Sequence, residues 1–360
     1  MHIVECISET IFFQHLGKTT ANSLYFQHLA SNLWRAFCLI VYEIFHHALQ
    51  NKIAIISKKR NSSFYAQNNL KVIKVSTKYL YDNTLQCHDH LPPQFTPIPQ
   101  SQRSDMSEFL YATLNAAREI IPLLAMREEH LLQAGSKGVG GDISIGADLL
   151  CEEIFTKHLS HIGHIDSEES GLIAASAQIK KMDSRTAPTI VLDPLDGSDN
   201  YLSNIPYYGA SLALCDGTGA VLEAAVVNFC SAQVIYDHSS APYASRIHIF
   251  TQEHSPIVPT HAKCGVFEKA YSYPDIAREF YIHKLKFRSL GASALSLAYA
   301  LEHNFFLFCG EIRKYDALAG LFLCRNLQIA RGADFLLVSQ NKQVFGMIER
   351  ILSKHHIKQI

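Results

Sequence analysis

The spacing of apolar residues along the chain changes at Met106. Residues 1–105 show little consistent periodicity, and residues 91–105 are rich in Pro and Gln, as is typical of an extended linker. After Met106, Ser107 is a predicted N-cap, and apolar residues recur at helical spacing as far as Pro122. The pattern therefore predicts an unassigned extension followed by a domain that opens with a helix.

Residues 106–360 alternate between the periods of the two regular secondary structures. Buried strands are predicted over residues 189–192, 210–214, 221–227 and 305–308. Further helices are predicted over residues 147–159, 291–301 and 315–327. A glycine-rich loop separates the first two helices, with Gly135, Gly138, Gly140 and Gly141. Alternating elements of this kind predict a layered α/β or α+β protein.

The composition argues against two classes of protein. The 360 residues have a formal net charge of −1 and are 48% hydrophobic, which argues against a wholly disordered chain and against a dedicated nucleic-acid binder. The charge is unevenly distributed, because residues 1–105 carry ten Lys and Arg against six Asp and Glu, whereas residues 106–360 carry 22 against 27. The near-neutral total is the sum of a basic extension and an acidic domain.

Cysteine usage and hydropathy indicate a cytoplasmic protein that does not enter a membrane. The nine cysteines are an odd number without a Cys-x-x-Cys pair, so reduced thiols are the simplest interpretation. The N-terminus lacks the basic segment and apolar run of a secretory signal. Residues 33–49, the most apolar stretch near it, are interrupted by charged residues and histidines and fall short of the about 20 apolar residues that a spanning helix needs.

The segment VLDPLDGSDN, which ends a predicted strand, is the strongest sign of chemistry. Asp193 and Asp196 flank a turn that Pro194 is expected to force, and they can share a hard cation such as Mg²⁺. The same turn can aim the carbonyl of Leu195 at this ion. Gly197 lets the backbone approach a ligand, and the N–H groups after it can bind phosphate at a helix start. The alternative is an Asp-Pro turn and an Asp-Gly turn without function.

Four further acidic residues lie at the ends of predicted elements. Glu168 and Glu169 follow a short predicted strand, whereas Asp148 and Asp316 each stand at the start of a predicted helix. An aspartate at a helix start is ordinarily a cap. Taken alone, each of these residues is therefore open to a structural interpretation.

In combination these residues resemble the inositol monophosphatase family, within the wider superfamily of lithium-sensitive and fructose-bisphosphatase-like phosphatases. The similarity covers residues 106–345 in chain order, and its most specific part is Asp-Pro-Leu-Asp-Gly-Ser at residues 193–198. The other matching positions are Glu168 in Ser-Glu-Glu-Ser, Asp148 in Gly-Ala-Asp, Asp316 after an aromatic residue, and the small-residue turn Gly291-Ala292-Ser293-Ala294.

The resemblance implies an α/β (α+β) fold, the layered αβαβα sandwich of this superfamily, over residues 106–360. It also implies a Mg²⁺-dependent phosphomonoesterase, a homodimer, acting on a small soluble sugar or polyol phosphate. Inositol monophosphate is the first candidate substrate and fructose 1,6-bisphosphate the second. A catalytically silent member of the same fold, acting as a binding or regulatory module, is the alternative from another class.

The resemblance also implies a role for each site residue, with two or three Mg²⁺ ions. The first ion would be held by Glu168, Asp193 and the carbonyl of Leu195. The second would be held by Asp193, Asp196 and Asp316, and Glu168 would help to hold a weaker third. The catalytic residues would be Glu168, Ser198 and Asp148, the last two positioning the attacking water. The substrate-binding residues would be Asp196, Gly197, Ser198, Ala292, Ser293 and Lys137.

Parts of the chain depart from the family pattern. Residues 227–289 form a short segment without the family's Gly-x-Gly-Ala … Asn-Gly sequence, and Cys309 stands where inositol-selective members place a ring-binding glutamate. Glu311 could replace that glutamate if the register shifts by two residues. Arg288 and Lys314 could contact a second phosphate, which keeps fructose 1,6-bisphosphate in consideration.

The resemblance leaves residues 1–105 unmatched, and two hypotheses follow. They form a poorly ordered extension, or Met1 is an upstream start that is not used, since Met106 immediately precedes the first predicted helix.

Overall fold

The computed structural model describes residues 106–176, 187–257 and 262–357. The predicted extension, residues 1–105, lies outside the described residues, so the boundary at residue 106 stays a prediction. The helices are α1 (Glu108–Met126), α2 (Gly146–Leu159), α3 (Ser198–Leu202), α4 (Pro274–Ile282), α5 (Ser293–Ala298), α6 (Lys314–Leu323) and α7 (Lys342–Lys354). Short 3₁₀ segments cover Glu129–Leu132, Ala270–Ser272 and Tyr299–Leu301. Within these ranges no helix is long and apolar enough to cross a membrane.

Fifteen strands are present in the described part of the chain. They are β1 (Ala134–Lys137), β2 (Ile143–Ile145), β3 (His164–Ser167), β4 (Gly171–Ile173), β5 (Thr189–Asp196), β6 (Gly209–Cys215), β7 (Val221–Asn228), β8 (Gln233–His238), β9 (Ser245–His248), β10 (His254–Ser255), β11 (Cys264–Glu268), β12 (Lys286–Arg288), β13 (Phe306–Cys309), β14 (Gln328–Arg331) and β15 (Phe335–Ser339).

The strands form a hairpin and two sheets. The hairpin joins β1 and β2, the larger sheet has the order β10-β9-β8-β7-β6-β5-β3-β4, and the smaller has the order β12-β11-β13-β15-β14. In the larger sheet only the β3–β5 pair is parallel among the described strands. In the smaller sheet β11 runs parallel to both β12 and β13.

The two-residue period of the larger sheet sends alternate side chains into two different cores. In β6, Ala210, Leu212 and Leu214 pack in a core that includes α1 and α2. The intervening Ala213 and Cys215 pack in a core with α5 and α6. The larger sheet is therefore covered by helices on both faces.

The smaller sheet repeats this arrangement. In β13, Phe306 and Phe308 pack in a core that includes α5 and α6, whereas Leu307 and Cys309 pack in one with α4 and α7. Helices α5 and α6 thus lie between the two sheets. The resulting five layers confirm the predicted αβαβα sandwich.

Helix α1 continues beyond Pro122, where the sequence predicted its end. The predicted cap at Ser107 is present, since its Oγ accepts from the N–H of Leu110 at 3.1 Å. Pro122 removes one hydrogen bond within the helix, but the additional turn buries Leu124, whose carbonyl accepts from the hydroxyl of Tyr201 at 3.0 Å. Burial and this bond outweigh the missing N–H, so the helix ends at Met126.

Two other boundaries differ from the predicted ones. The glycine-rich segment forms the hairpin β1–β2, and only residues 138–142 remain as a loop. Helix α6 ends at Leu323 instead of residue 327, because Cys324 and the residues after it form a turn that leads into the edge strand β14.

Candidate active site

A β-bulge in β5 brings the two aspartates of the central motif to the same face. Asp193 pairs with Ser211 of β6 and Asp196 pairs with Gly209, so three steps along β5 face two along β6. Residues i and i+3 of a regular strand point to opposite faces, whereas one extra residue returns the second side chain to the first face. Pro194 lies in this bulge, where it has no ladder bond to donate. The predicted turn is thus a bulge within the strand.

Asp316 joins this pair from the first turn of α6. One carboxylate oxygen from each of Asp193, Asp196 and Asp316 lies within 4.8 Å of the other two, and all three side chains are buried. The hydroxyl of Ser211 donates to the carbonyl of Tyr315 at 3.0 Å, which ties the start of α6 to β6. These three residues, the carboxylate cluster, supply only oxygen ligands, the type that Mg²⁺ prefers. The donor set therefore fits a divalent cation.

Glu168 reaches the carboxylate cluster through an arginine. It follows β3, which is parallel to β5, and its N–H donates to the carbonyl of Leu192 at 3.0 Å. Its carboxylate accepts from the guanidinium of Arg313, whose Nε donates to Asp316 at 2.9 Å. The structure thus places Glu168 beside the cluster, with a positive charge between them.

Ser198 and Asp148 are in direct contact. The Oγ of Ser198 lies 2.6 Å from Oδ1 of Asp148 and 3.0 Å from the carbonyl oxygen of Leu195. The other carboxylate oxygen of Asp148 accepts from the N–H of Ile145 at 2.6 Å, at the start of α2. Asp148 is therefore both the helix cap of the structural interpretation and a partner of Ser198.

The turn before α3 brings the small-residue segment to the motif. Gly197 has a φ of +93°, a left-handed conformation that favours glycine. A Cβ there would lie 3.0 Å from the carbonyl oxygen of Tyr207 and 3.1 Å from the Cβ of Ala292. The amide of Asn200 donates to the carbonyls of Tyr207 and Leu290, at 2.7 and 2.8 Å, and thereby links α3 to the segment before α5.

The other side chains that the family resemblance brought into consideration for substrate binding differ in their exposure. Ser293 is partly exposed at the start of α5, and Lys137 is exposed at the end of β1 without an ion pair among the described residues. Cys309 is 1% exposed, and burial raises its pKa to about 12. Glu311 is exposed in the loop before α6.

The two cations proposed for a second phosphate are both exposed. Arg288 donates to the carbonyl of its neighbour Phe287 at 2.8 Å. Lys314 pairs with Asp166 of β3 and lies over the ring of Tyr315, 4.8 Å from its centroid. Lys314 is thus held at the surface by its own partners.

Burial makes the uncompensated negative charge of the site unfavourable. It raises the pKa of Asp193 and of Asp196 well above the usual range, and the neighbouring carboxylates add to the effect. Burial also raises the pKa of Glu168 to about 7, against the opposing charge of Arg313. It raises the pKa of Asp148 to about 6, although Ser198 and Ile145 donate to that carboxylate.

These shifts predict a pH-dependent stability in the absence of divalent cations. The raised pKa values mean that the folded state binds protons more tightly than the unfolded one. The resulting contribution of Asp148 and Glu168 to the free energy of unfolding is complete below their ordinary pKa values of 3.8 and 4.5. It is lost as the pH rises through about 6 and about 7. In EDTA, the free energy of unfolding by urea should therefore fall between pH 5 and pH 8, and Mg²⁺ should reduce this decline.

Glu168→Gln is the control for this measurement, because it removes one titratable group of the site and leaves all the others in place. The variant should lose less stability between pH 6 and pH 8 than the wild type. An equal or steeper decline in the variant would contradict the assignment of this pH dependence to the raised pKa of Glu168.

One residue of the site, Arg313, was not singled out from the sequence, and two others gain contacts that the sequence does not predict. Arg313 bridges Glu168 and Asp316, Asn200 links α3 to the segment before α5, and Glu169 accepts from the hydroxyl of Ser144. The signal for Arg313 was its spacing of three residues before Asp316, which brings side chains together on a helix.

Solved structures share this fold. The chain is similar to the extragenic suppressor protein suhB of Bartonella henselae, with a TM-score of 0.56 and 20% identity, over 69% of this chain and 99% of that one. It is also similar to the fructose-1,6-bisphosphatase of Leishmania major, with a TM-score of 0.57 and 15% identity, over 72% of this chain and 99% of that one.

Sequence comparison adds the family to the fold. Residues 105–354 match the sequence profile of the inositol monophosphatase family. A "Fructose-1,6-bisphosphatase/inositol-1-monophosphatase" of Thermococcus kodakarensis is 30% identical over 233 residues, which are 59% of this chain and 78% of the relative. Fold, carboxylate cluster and matches together define a metal-dependent phosphatase. The chain belongs to the inositol monophosphatase family.

Proposed function

We propose that the chain is a Mg²⁺-dependent phosphomonoesterase that hydrolyses a small sugar or polyol phosphate, with inositol monophosphate as the first candidate. The observation that carries this proposal is that Asp193 and Asp196 lie in the bulged strand β5 directly before the turn at Gly197, and that Asp316 of α6 completes the carboxylate cluster there. The oxygen donors of the cluster support Mg²⁺, and the nearby Glu168 supports two or three ions.

The residues around the cluster have different roles in the proposed hydrolysis. A bound divalent cation supplies the positive charge that polarises the phosphoryl group and acidifies water. The amides of Gly197 and Ser198 hold phosphate oxygens at the start of α3. The hydroxyl of Ser198, oriented by Asp148 at 2.6 Å, positions the attacking water and relays one proton of that water toward the carboxylate, while the ester P–O bond breaks and the departing alcohol oxygen takes up a proton. Ala292 and Ser293 border the substrate next to Gly197, and Lys137 adds a positive charge from the hairpin.

Fructose 1,6-bisphosphate is the second candidate, and a specific observation favours it. Cys309, at the position of the ring-binding glutamate of inositol-selective relatives, is buried in the core with α4 and α7 and cannot hydrogen bond to a substrate ring. The similarity to a relative named for both activities is compatible with either substrate.

Phosphate release from a substrate panel tests both candidates. The purified full-length chain would be assayed with inositol 1-phosphate and fructose 1,6-bisphosphate, in Mg²⁺ and in EDTA. The proposal expects turnover in Mg²⁺ and at least about a 100-fold loss in EDTA. The ratio of the two kcat/KM values then ranks the candidates. Mg²⁺ binding without turnover of any sugar or polyol phosphate would favour the silent binding or regulatory member of the fold.

We also propose that the protein is a cytoplasmic homodimer. Six cysteines in the described residues are free thiols, which supports a reducing compartment. The family resemblance supports the dimer, and Leu172, 71% exposed on the edge strand β4, offers an apolar contact to a second copy. Sedimentation velocity of the wild type and of Leu172→Ser would test this proposal, with a shift toward monomer expected in the variant.

A further inference from the structure

Arg313 has four partners that belong to two parts of the site. Its Nε donates to the carboxylate of Asp316 at 2.9 Å, and its Nη1 donates to the carboxylate of Glu168. The same Nη1 lies 2.8 Å from a carboxylate oxygen of Asp142 and 3.4 Å from the carbonyl oxygen of Gly140. The guanidinium therefore connects the acidic residues around the cluster with the loop of residues 138–142.

That loop is bound independently to the segment that carries Glu168. The N–H of Gly140 donates to the carbonyl of Glu168 at 2.7 Å, and the N–H of Val139 donates to the carbonyl of Glu169 at 3.0 Å. A Cβ on Gly140 would overlap the side chain of Glu168, so the loop backbone approaches this carboxylate closely. The loop would therefore stay next to Glu168 even if Arg313 released its carboxylate.

The guanidinium of Arg313 binds carboxylate oxygens of Glu168 and Asp316 that a metal cation would use as ligands. Glu168 and Asp316 are both buried, and the side chain of Arg313 is only 34% exposed. An arginine remains protonated at any pH a protein tolerates. A divalent cation and a guanidinium repel each other, and they cannot use the same lone pairs of these carboxylates.

We propose that Arg313 is an internal cation that competes with the divalent metal for Glu168 and Asp316 and thereby sets the metal affinity of the site. This inference rests on the metal dependence in the proposed function. When a metal binds, the guanidinium must leave both carboxylates, and Asp142 and the Gly140 carbonyl remain as its partners at the rim. Part of the negative charge around the cluster is thus compensated in both states, by Arg313 in one and by the metal in the other.

Calorimetric titration with Mg²⁺ tests the competition without an activity assay. Arg313→Met keeps the length and apolar stem of the side chain and removes its charge. If the metal-ready state is about a tenth of the wild-type population, the dissociation constant for Mg²⁺ should be about tenfold lower in this variant. Lys314→Met is the matched control. It removes the same charge at the next residue, but the side chain of Lys314 pairs with Asp166 and not with the carboxylates for which Arg313 competes. Its dissociation constant should stay within about twofold of the wild type.

Thermal denaturation provides the second measurement. In EDTA, Arg313→Met should unfold at a lower temperature than the wild type, because buried carboxylates lose their counter-charge. Saturating Mg²⁺ should remove most of that difference. An unchanged or higher dissociation constant in Arg313→Met, with wild-type Mg²⁺ binding intact, would overturn the competition and leave the proposed function standing. Folded wild type and variant that both fail to bind Mg²⁺ would overturn the inference and the proposed function together.

Discussion

Asp193→Asn is expected to lower kcat/KM by at least about 1,000-fold while making the metal-free protein more stable. Asp193 is buried in the carboxylate cluster and shares its space with Asp196 and Asp316. The amide retains the shape of the side chain but removes one negative charge, so a divalent cation loses a ligand. In EDTA the same change relieves repulsion between buried carboxylates, and the unfolding temperature should rise.

The matched control is Asp275→Asn, which makes the same chemical change at an exposed position in the first turn of α4. It should retain wild-type activity, and its unfolding temperature in EDTA should not rise. Phosphate release in Mg²⁺ and thermal denaturation in EDTA are the two measurements. Undiminished turnover in Asp193→Asn would refute the role of the cluster, and a lower unfolding temperature in EDTA would refute the electrostatic argument.

Gly209→Ala is expected to destabilise the protein by about 3 kcal/mol or more. Gly209 lies in β6 opposite Asp196, at the end of the bulge. A Cβ at this position would overlap the backbone carbonyl oxygen of Val227 in the neighbouring strand, and the side chain of Leu295 lies 3.0 Å from it. Because the obstacle is backbone in the centre of the larger sheet, the strands would have to separate.

Gly346→Ala provides the comparison within the same protein. Gly346 lies within α7, and a Cβ there meets no atom within 4 Å. Alanine favours a helix interior over glycine, so this variant should gain about 0.5–1 kcal/mol. Urea denaturation of both variants in Mg²⁺ measures the difference. A loss of less than about 1 kcal/mol in Gly209→Ala would show that β6 and β7 can adjust to the added methyl group.

The local parts of the site could be predicted from the sequence because their chemistry is contiguous. Asp193, Asp196 and Gly197 lie within five residues, and their order after an apolar run specifies carboxylates followed by a helix start. The bulge at Pro194 was not predicted, because it is defined by the register of β5 against β6. A proline alone is equally compatible with a turn, so the alignment of the two carboxylates requires the sheet.

Contacts between distant parts of the chain explain the other differences between the predicted and the observed structure. Arg313 lies 145 residues from Glu168 and 171 from Asp142 in sequence, and no periodicity connects such positions. The position of Asp148 alone predicts only a helix cap, and it was the family resemblance that implied a role beside Ser198, 50 residues away, to which the structure shows a hydrogen bond. Likewise α1 continues past Pro122 because Tyr201 and the core support its last turn.

The bulge in β5 also separates two kinds of motion in the site. Because β5 is hydrogen-bonded to β3 and β6, the backbone of the larger sheet fixes the spacing between Asp193 and Asp196. The hydrogen-bonded amides of β5 exchange with deuterium when the sheet opens. Their protection should therefore approach the free energy of global unfolding. The guanidinium of Arg313, in contrast, can change partners by side-chain rotation, because Asp142 and the carbonyl of Gly140 also lie within its reach. Folding of the larger sheet therefore fixes the positions of Asp193 and Asp196, whereas the proposed competition depends only on the rotation of one side chain, that of Arg313.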